Sequence, residues 1–133
     1  MARIFIDSSV LIRYLVEDDV PRALAAADLI DGDDGLVIST SVLLEVVHVL
    51  RRDRNLGNPE IGHGLIAFLS KENVELIDAD RAGTVAALQW SLRVSARRIP
   101  DAIIAAAAEL AGCDRIATFD EAFVSPTVPV RLI

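Results

Sequence analysis

At 133 residues, 53% of them hydrophobic, the chain has the size of one domain and is long enough to bury well over half of its unfolded surface in a single core, so residues 1–133 are read as one unit. Its apolar runs break at Arg, Glu or Asp before the roughly 18 residues that a membrane span needs, and the three apolar residues ahead of Asp7 are too few for a signal peptide, so a cytoplasmic protein is expected. A net charge of −7 argues against a broad basic face for nucleic acid, unless bound divalent metal takes up part of the acidity.

Arg3 to Ile6 reads as a first strand ending in Asp7-Ser8-Ser9, with a helix from Val10 through Val16. Pro21 opens a second helix through Ile30. Asp31 to Gly35 is a turn, because Gly and Asp accept the left-handed backbone that a reversal uses. Leu36-Val37-Ile38 is a buried strand, and Ser39-Thr40-Ser41 supplies capping hydroxyls for a helix to about Arg52. Residues 55–59 form a loop and 60–70 a helix weakened by Gly62 and Gly64. Val74 to Ile77 is the third strand and 80–96 a further helix. Ile99-Pro100 is expected to break the pattern, with Asp101 opening an Ala-rich helix to Leu110 and Gly112 stopping it. Arg115 to Ala117 is a fourth strand, Phe119 to Phe123 a short turn of helix, and Val128 to Leu132 an edge strand carrying Pro129. The one cysteine, Cys113, rules out an internal disulfide and is expected as a buried thiol.

Short apolar strands alternating with helices indicate crossover units and a mainly parallel sheet covered on both faces, a three-layer α/β/α sandwich. In such a fold strand C-termini and helix N-termini share one edge, where ligands usually bind. Asp7 follows the first strand, Glu45 lies near the second turn of the helix after the second strand, Asp101 starts the helix leading into the fourth strand, and Asp120 follows that strand. Each acid alone has an ordinary reading, as a helix cap for Asp7, Asp101 and Asp120 or as part of a solvated helix face for Glu45. Four from separate segments at one edge are harder to dismiss, because clustered carboxylates repel without a neutralising partner. The partner that suits oxygen donors is Mg²⁺ or Mn²⁺, and His48 and His63 have no zinc spacing. Metal-assisted hydrolysis is the chemistry left, since the chain has neither a Ser/His/Asp spacing nor a Gly-rich phosphate loop.

At these residues the chain resembles the PIN-domain nucleases, especially the VapC toxins of prokaryotic toxin–antitoxin pairs. The matching stretches are Ile4 to Leu15, Ser39 to Val47, Asp101 to Ala106 and Ala117 to Asp120, in the family's order and over nearly the whole chain. The resemblance implies a compact α/β/α ribonuclease, usually dimeric, that binds Mg²⁺ or Mn²⁺, hydrolyses single-stranded RNA and is blocked by a small cognate antitoxin. It implies Asp7, Glu45 and Asp101 as core acids and Asp120 as the fourth, less uniformly a direct ligand, with support from Thr118 or Ser8. Ser9 departs from the Asn that many relatives carry there, which puts a support role at that position in doubt.

Twelve of the thirteen basic residues are Arg. Arg13, Arg51, Arg52 and the Arg97-Arg98 pair are candidates for phosphate contacts, since a guanidinium fork suits phosphate. A response-regulator receiver would need a Lys after a late strand, and Lys71 precedes the third. A haloacid-dehalogenase-like phosphatase would need an Asp where Ser9 stands. The rival from another class is a PIN-like module that binds RNA or protein without cutting.

Overall fold

In the computed structural model, residues 1–94 and 98–133 are described. The elements run β1 (Arg3–Phe5), α1 (Ser8–Leu15), α2 (Val20–Ile30), β2 (Gly35–Ile38), α3 (Thr40–Asp53), α4 (Asn58–Leu69), β3 (Val74–Leu76), α5 (Arg81–Arg93), α6 (Ile99–Leu110), β4 (Ile116–Thr118) and β5 (Val130–Leu132). The architecture is α/β, with parallel strands joined by helical crossovers. None of the described helices is long and apolar enough to cross a membrane.

β2 is the central strand of a parallel trio, pairing Leu36 with Ile4 on one side and with Val74 on the other. The ladder extends one step further through the Ile6 amide, which donates to Val37 O at 2.8 Å, and the Ile77 amide, which donates to Ile38 O at 3.1 Å. Leu36, Val37 and Ile38 are all buried, as expected for a strand flanked on both edges. The face bearing Ile6, Leu36, Ile38, Val74 and Leu76 enters the main core. The opposite face presents Phe5 at 54% exposure, together with Arg3 and Glu75. Arg3 pairs with Gly35 in the ladder, and its guanidinium reaches Glu75 at 2.7 Å.

The expected single sheet is instead in two pieces. β4 and β5 form a separate parallel pair, with Ile116 opposite Val130 and Thr118 opposite Leu132. In this pair β5 is exposed throughout and β4 nowhere fully buried, so Val130 and Leu132 are left without cover.

α3 is the core helix. Val42, Leu43, Val46, Val47 and Leu50 recur at helical spacing and are buried, while Glu45 and His48 occupy the exposed side. Ser39 caps it by accepting from the Val42 amide at 3.4 Å. α4 forms despite its two glycines. A side chain at Gly62 would sit 2.7 Å from Leu92 Cδ2, so this glycine lets α4 and α5 approach closely. At the end of the sheet where the strands begin, the lone Tyr and the lone Lys converge on one carboxylate: Tyr14 Oη donates to Asp31 at 2.8 Å and Lys71 Nζ lies 2.9 Å from it.

Three other local expectations need correction. Pro100 lies in the first turn of α6 rather than breaking the chain ahead of it; an N-terminal turn has no intrahelical use for the missing amide hydrogen. Residues 119–123 make a hydrogen-bonded turn, with the Phe123 amide donating to Asp120 O at 3.1 Å, and not a helix. Cys113 is exposed, because α6 has already ended at the surface and Gly112, with φ of 72°, turns the chain away. Gly112 does stop that helix as expected: its amide donates to Glu109 O and that of Cys113 to Ala108 O. The tail of the helix expected over 80–96, from residue 95 on, lies outside the described residues.

Phe68 is among the largest fully buried side chains. Phe68→Ala is expected to lower unfolding stability by about 3–5 kcal/mol through lost transfer energy and the cavity left behind, measured by urea denaturation with circular dichroism.

Candidate active site on the acidic edge

Asp7 stands just after β1 and caps α1. Its Oδ2 accepts from the Ser9 amide at 3.1 Å and from Ser9 Oγ at 2.6 Å. Ser9 therefore supports Asp7, so the departure from Asn at this position does not remove a support role. The hydroxyl bond to Ser9, then the Ser9 amide, hold the Asp7 carboxyl below its ordinary value of 3.8.

Glu45 lies on the exposed side of α3, in its second turn. The start of that helix is held by an acid the sequence did not point to: Asp78, following β3, accepts from the Thr40 amide and from Thr40 Oγ1, both at 2.8 Å. Backbone and hydroxyl are thus gripped by one carboxylate, and the ends of β1, β2 and β3 form a continuous polar edge.

Asp101 sits in the first turn of α6 and is only 4% exposed. Its Oδ2 accepts from Arg98 Nε and from the Val124 amide, each at 3.3 Å. Asp120 follows β4 and accepts from the Ala122 amide at 2.9 Å, while Thr118 Oγ1 accepts from the Asp120 amide at 3.0 Å. Thr118 thus supports the backbone at Asp120. Arg98 Nη2 also donates to Asp120 Oδ2, so a single guanidinium spans Asp101 and Asp120. That ion pair, then the Ala122 amide, lowers the Asp120 carboxyl below 3.8. Arg51, near the end of α3, has its guanidinium pKa lowered by burial and by repulsion from Arg98, with attraction from Asp101 opposing both.

Arg98 brings Asp101 and Asp120 together, while Asp7 is held by Ser9 and Glu45 lies on the exposed side of α3. Among the described residues no three His, Cys, Asp or Glu side chains lie close enough to hold a metal ion. The donors fit Mg²⁺ or Mn²⁺ in kind, being carboxylate oxygens throughout, but in this arrangement the cation between Asp101 and Asp120 is Arg98.

The arginines expected to meet phosphate are largely committed elsewhere. Arg13 and Arg54 both bind Asp18, at 3.1 and 2.9 Å, and Arg52 binds Asp53 at 2.9 Å and reaches His48 Nε2 at 3.3 Å. Arg51 donates to Asn58. Arg98 faces the acids, and Arg97 lies outside the described residues. A groove of about 450 Å³ opens between α1 and α2 beside the Asp7 cap, lined by Ser9, Val10, Arg13, Arg22, Ala26 and Leu29 among others.

Carboxyl-detected NMR titration is expected to place both Asp7 and Asp120 below 3.8. Ser9→Ala should raise the Asp7 midpoint and Arg98→Gln that of Asp120, each leaving the other unmoved. Because both folded values are depressed, the stability these carboxylates contribute is present above 3.8 and is lost as pH falls through the folded midpoints.

No curated protein matches the chain. Among solved structures it is similar to the Mycobacterium tuberculosis VapC20 toxin, described as cleaving the sarcin-ricin loop, at 19% identity and a TM-score of 0.45, over 84% of this chain and 85% of that one. A family model described as the PIN domain matches residues 4–127. With the match running from β1 to beyond β4 and containing Asp7, Glu45, Asp101 and Asp120, the chain belongs to the PIN domain family.

Proposed function

We propose that the chain is a Mg²⁺- or Mn²⁺-dependent endoribonuclease and the toxin of a type II toxin–antitoxin pair, acting in the cytoplasm as a single domain of residues 1–133. The observation that carries this reading is the PIN domain match over residues 4–127, which includes all four acids. Its partners are an RNA substrate, a cognate antitoxin and a second copy of the chain in a homodimer.

Asp7, Glu45, Asp101 and Asp120 are the residues that would hold the metal. A divalent cation there supplies a lowered pKa for water and stabilises charge building on a scissile phosphate. The chain's own contribution is orientation. Ser9 fixes the Asp7 carboxylate, the Val124 amide fixes Asp101, and the grip of Asp78 on Thr40 fixes the start of the helix that carries Glu45. The ordered turn at Ala122 sets the Asp120 side chain. A carboxylate whose pKa is lowered by such donors, as at Asp7 and Asp120, is suited to orienting a water and accepting its proton as the phosphodiester is cut.

Cleavage of end-labelled RNA by purified protein, with Mg²⁺ or Mn²⁺ and with EDTA as control, tests the reading. Cutting is expected to need metal, and Asp7→Asn or Asp101→Asn should slow it on the order of 100-fold or more while the circular dichroism spectrum is unchanged. Absence of cutting across several RNAs by folded protein that also binds no metal would overturn the enzyme and favour a non-catalytic binding module.

A further inference from the structure

The feature that neither helix capping nor the proposed reaction accounts for is Arg98. It is the N-cap residue of α6, yet its side chain makes no capping bond. A cation is also the wrong sign for that position, because the exposed amides of a helix N-terminus carry positive partial charge and favour anions. Its placement is explained by what it touches. Nε lies 3.3 Å from Asp101 Oδ2, Nη2 donates to Asp120 Oδ2, and the two carboxylates come from segments 19 residues apart. Asp101 has a side chain only 5% exposed, so as an anion it needs a counter-ion wherever no metal supplies one. The Arg98 side chain is 43% exposed, which leaves it a path into solvent.

Resting on the metal-dependent reading above, we propose that Arg98 is the resident counter-ion of the acidic site, occupying between Asp101 and Asp120 the place that a divalent cation takes, and that metal binds by displacing it. The guanidinium fork suits this role because it satisfies two carboxylates at once and remains charged at any physiological pH. It lowers the cost of holding Asp101 and Asp120 together before metal arrives and weakens the affinity for metal by the same contacts. Lysine, with a point charge in place of a fork, would serve one carboxylate well and the second poorly.

Calorimetric titration of Mn²⁺ into the full chain and into Arg98→Gln, Arg98→Lys and Arg51→Gln tests this. Arg98→Gln is expected to bind Mn²⁺ about three- to tenfold more tightly than the parent, the range set by a pair that is buried on one side and solvent-screened on the other. Arg98→Lys should tighten binding by a smaller factor, and it carries the comparison if the glutamine variant does not fold. Without metal, Arg98→Gln should melt below the parent, and saturating Mn²⁺ should close that gap. Arg51→Gln removes a nearby charge that is attracted to Asp101 but bridges no carboxylates, and should tighten binding by a clearly smaller factor than Arg98→Gln. If the parent binds Mn²⁺ while Arg98→Gln binds it equally or more weakly, or if Arg51→Gln tightens binding as much, the counter-ion role is overturned and the metal-dependent reading stands. If no variant binds Mn²⁺, both fall together.

Discussion

Parallel strands cannot be joined by a tight turn; the chain must leave the end of one strand and travel back to the start of the next. In this molecule β1, β2 and β3 obey that constraint, and each time the chain leaves a strand it meets a helix N-terminus or a loop that serves one. Polar side chains are in demand at those points because the first amides of a helix have no intrahelical acceptors. Asp7 serves α1, Ser39 and Asp78 together serve α3, and Asp80 serves α5. The acidity of this edge is first a consequence of topology, and its chemistry is built on carboxylates the fold already had reason to place there.

Such an edge accumulates repulsion, and the structure relieves it with different devices. Around Asp7 the relief is local: a hydroxyl and an amide two residues along the chain share one oxygen. Around Asp101 it joins a local charge, Arg98 three residues back, to a distant amide in the loop after β4. The difference tracks burial. An exposed carboxylate is stabilised by solvent and needs only orientation, whereas an almost fully buried one needs a charge of opposite sign beside it.

What could be read from the sequence was whatever depends on neighbours along the chain. The apolar run of Leu36 to Ile38, the hydroxyl cap at Ser39 and the glycine stop at Gly112 each carry their signal within a few residues, and each stands as expected. What could not be read depends on distant partners. Nothing near Arg98 in the sequence says that its fork closes on Asp120, and nothing near Thr40 points to Asp78. Pro100 reads as a break because a proline that ends one helix and a proline that opens another have the same spelling. The separation of β4 and β5 from the trio likewise leaves no local signal, because strands only three residues long are too short for periodicity to report. The four acids were legible as residues near strand and helix ends; that one guanidinium joins two of them was not.

The placement of Asp120 has a bearing on how the molecule tolerates change. Every buried member of the main core lies between Ile6 and Ile103. Beyond α6 only Val128 is a buried hydrophobic residue, yet this segment carries Asp120 and the Val124 amide that holds Asp101. The part of the chain that completes the acidic pair is thus nearly independent of the part that makes the protein fold. Replacements there are free to retune the site at little cost to the core, and its amides, lacking core packing, should be the first to exchange with solvent hydrogen.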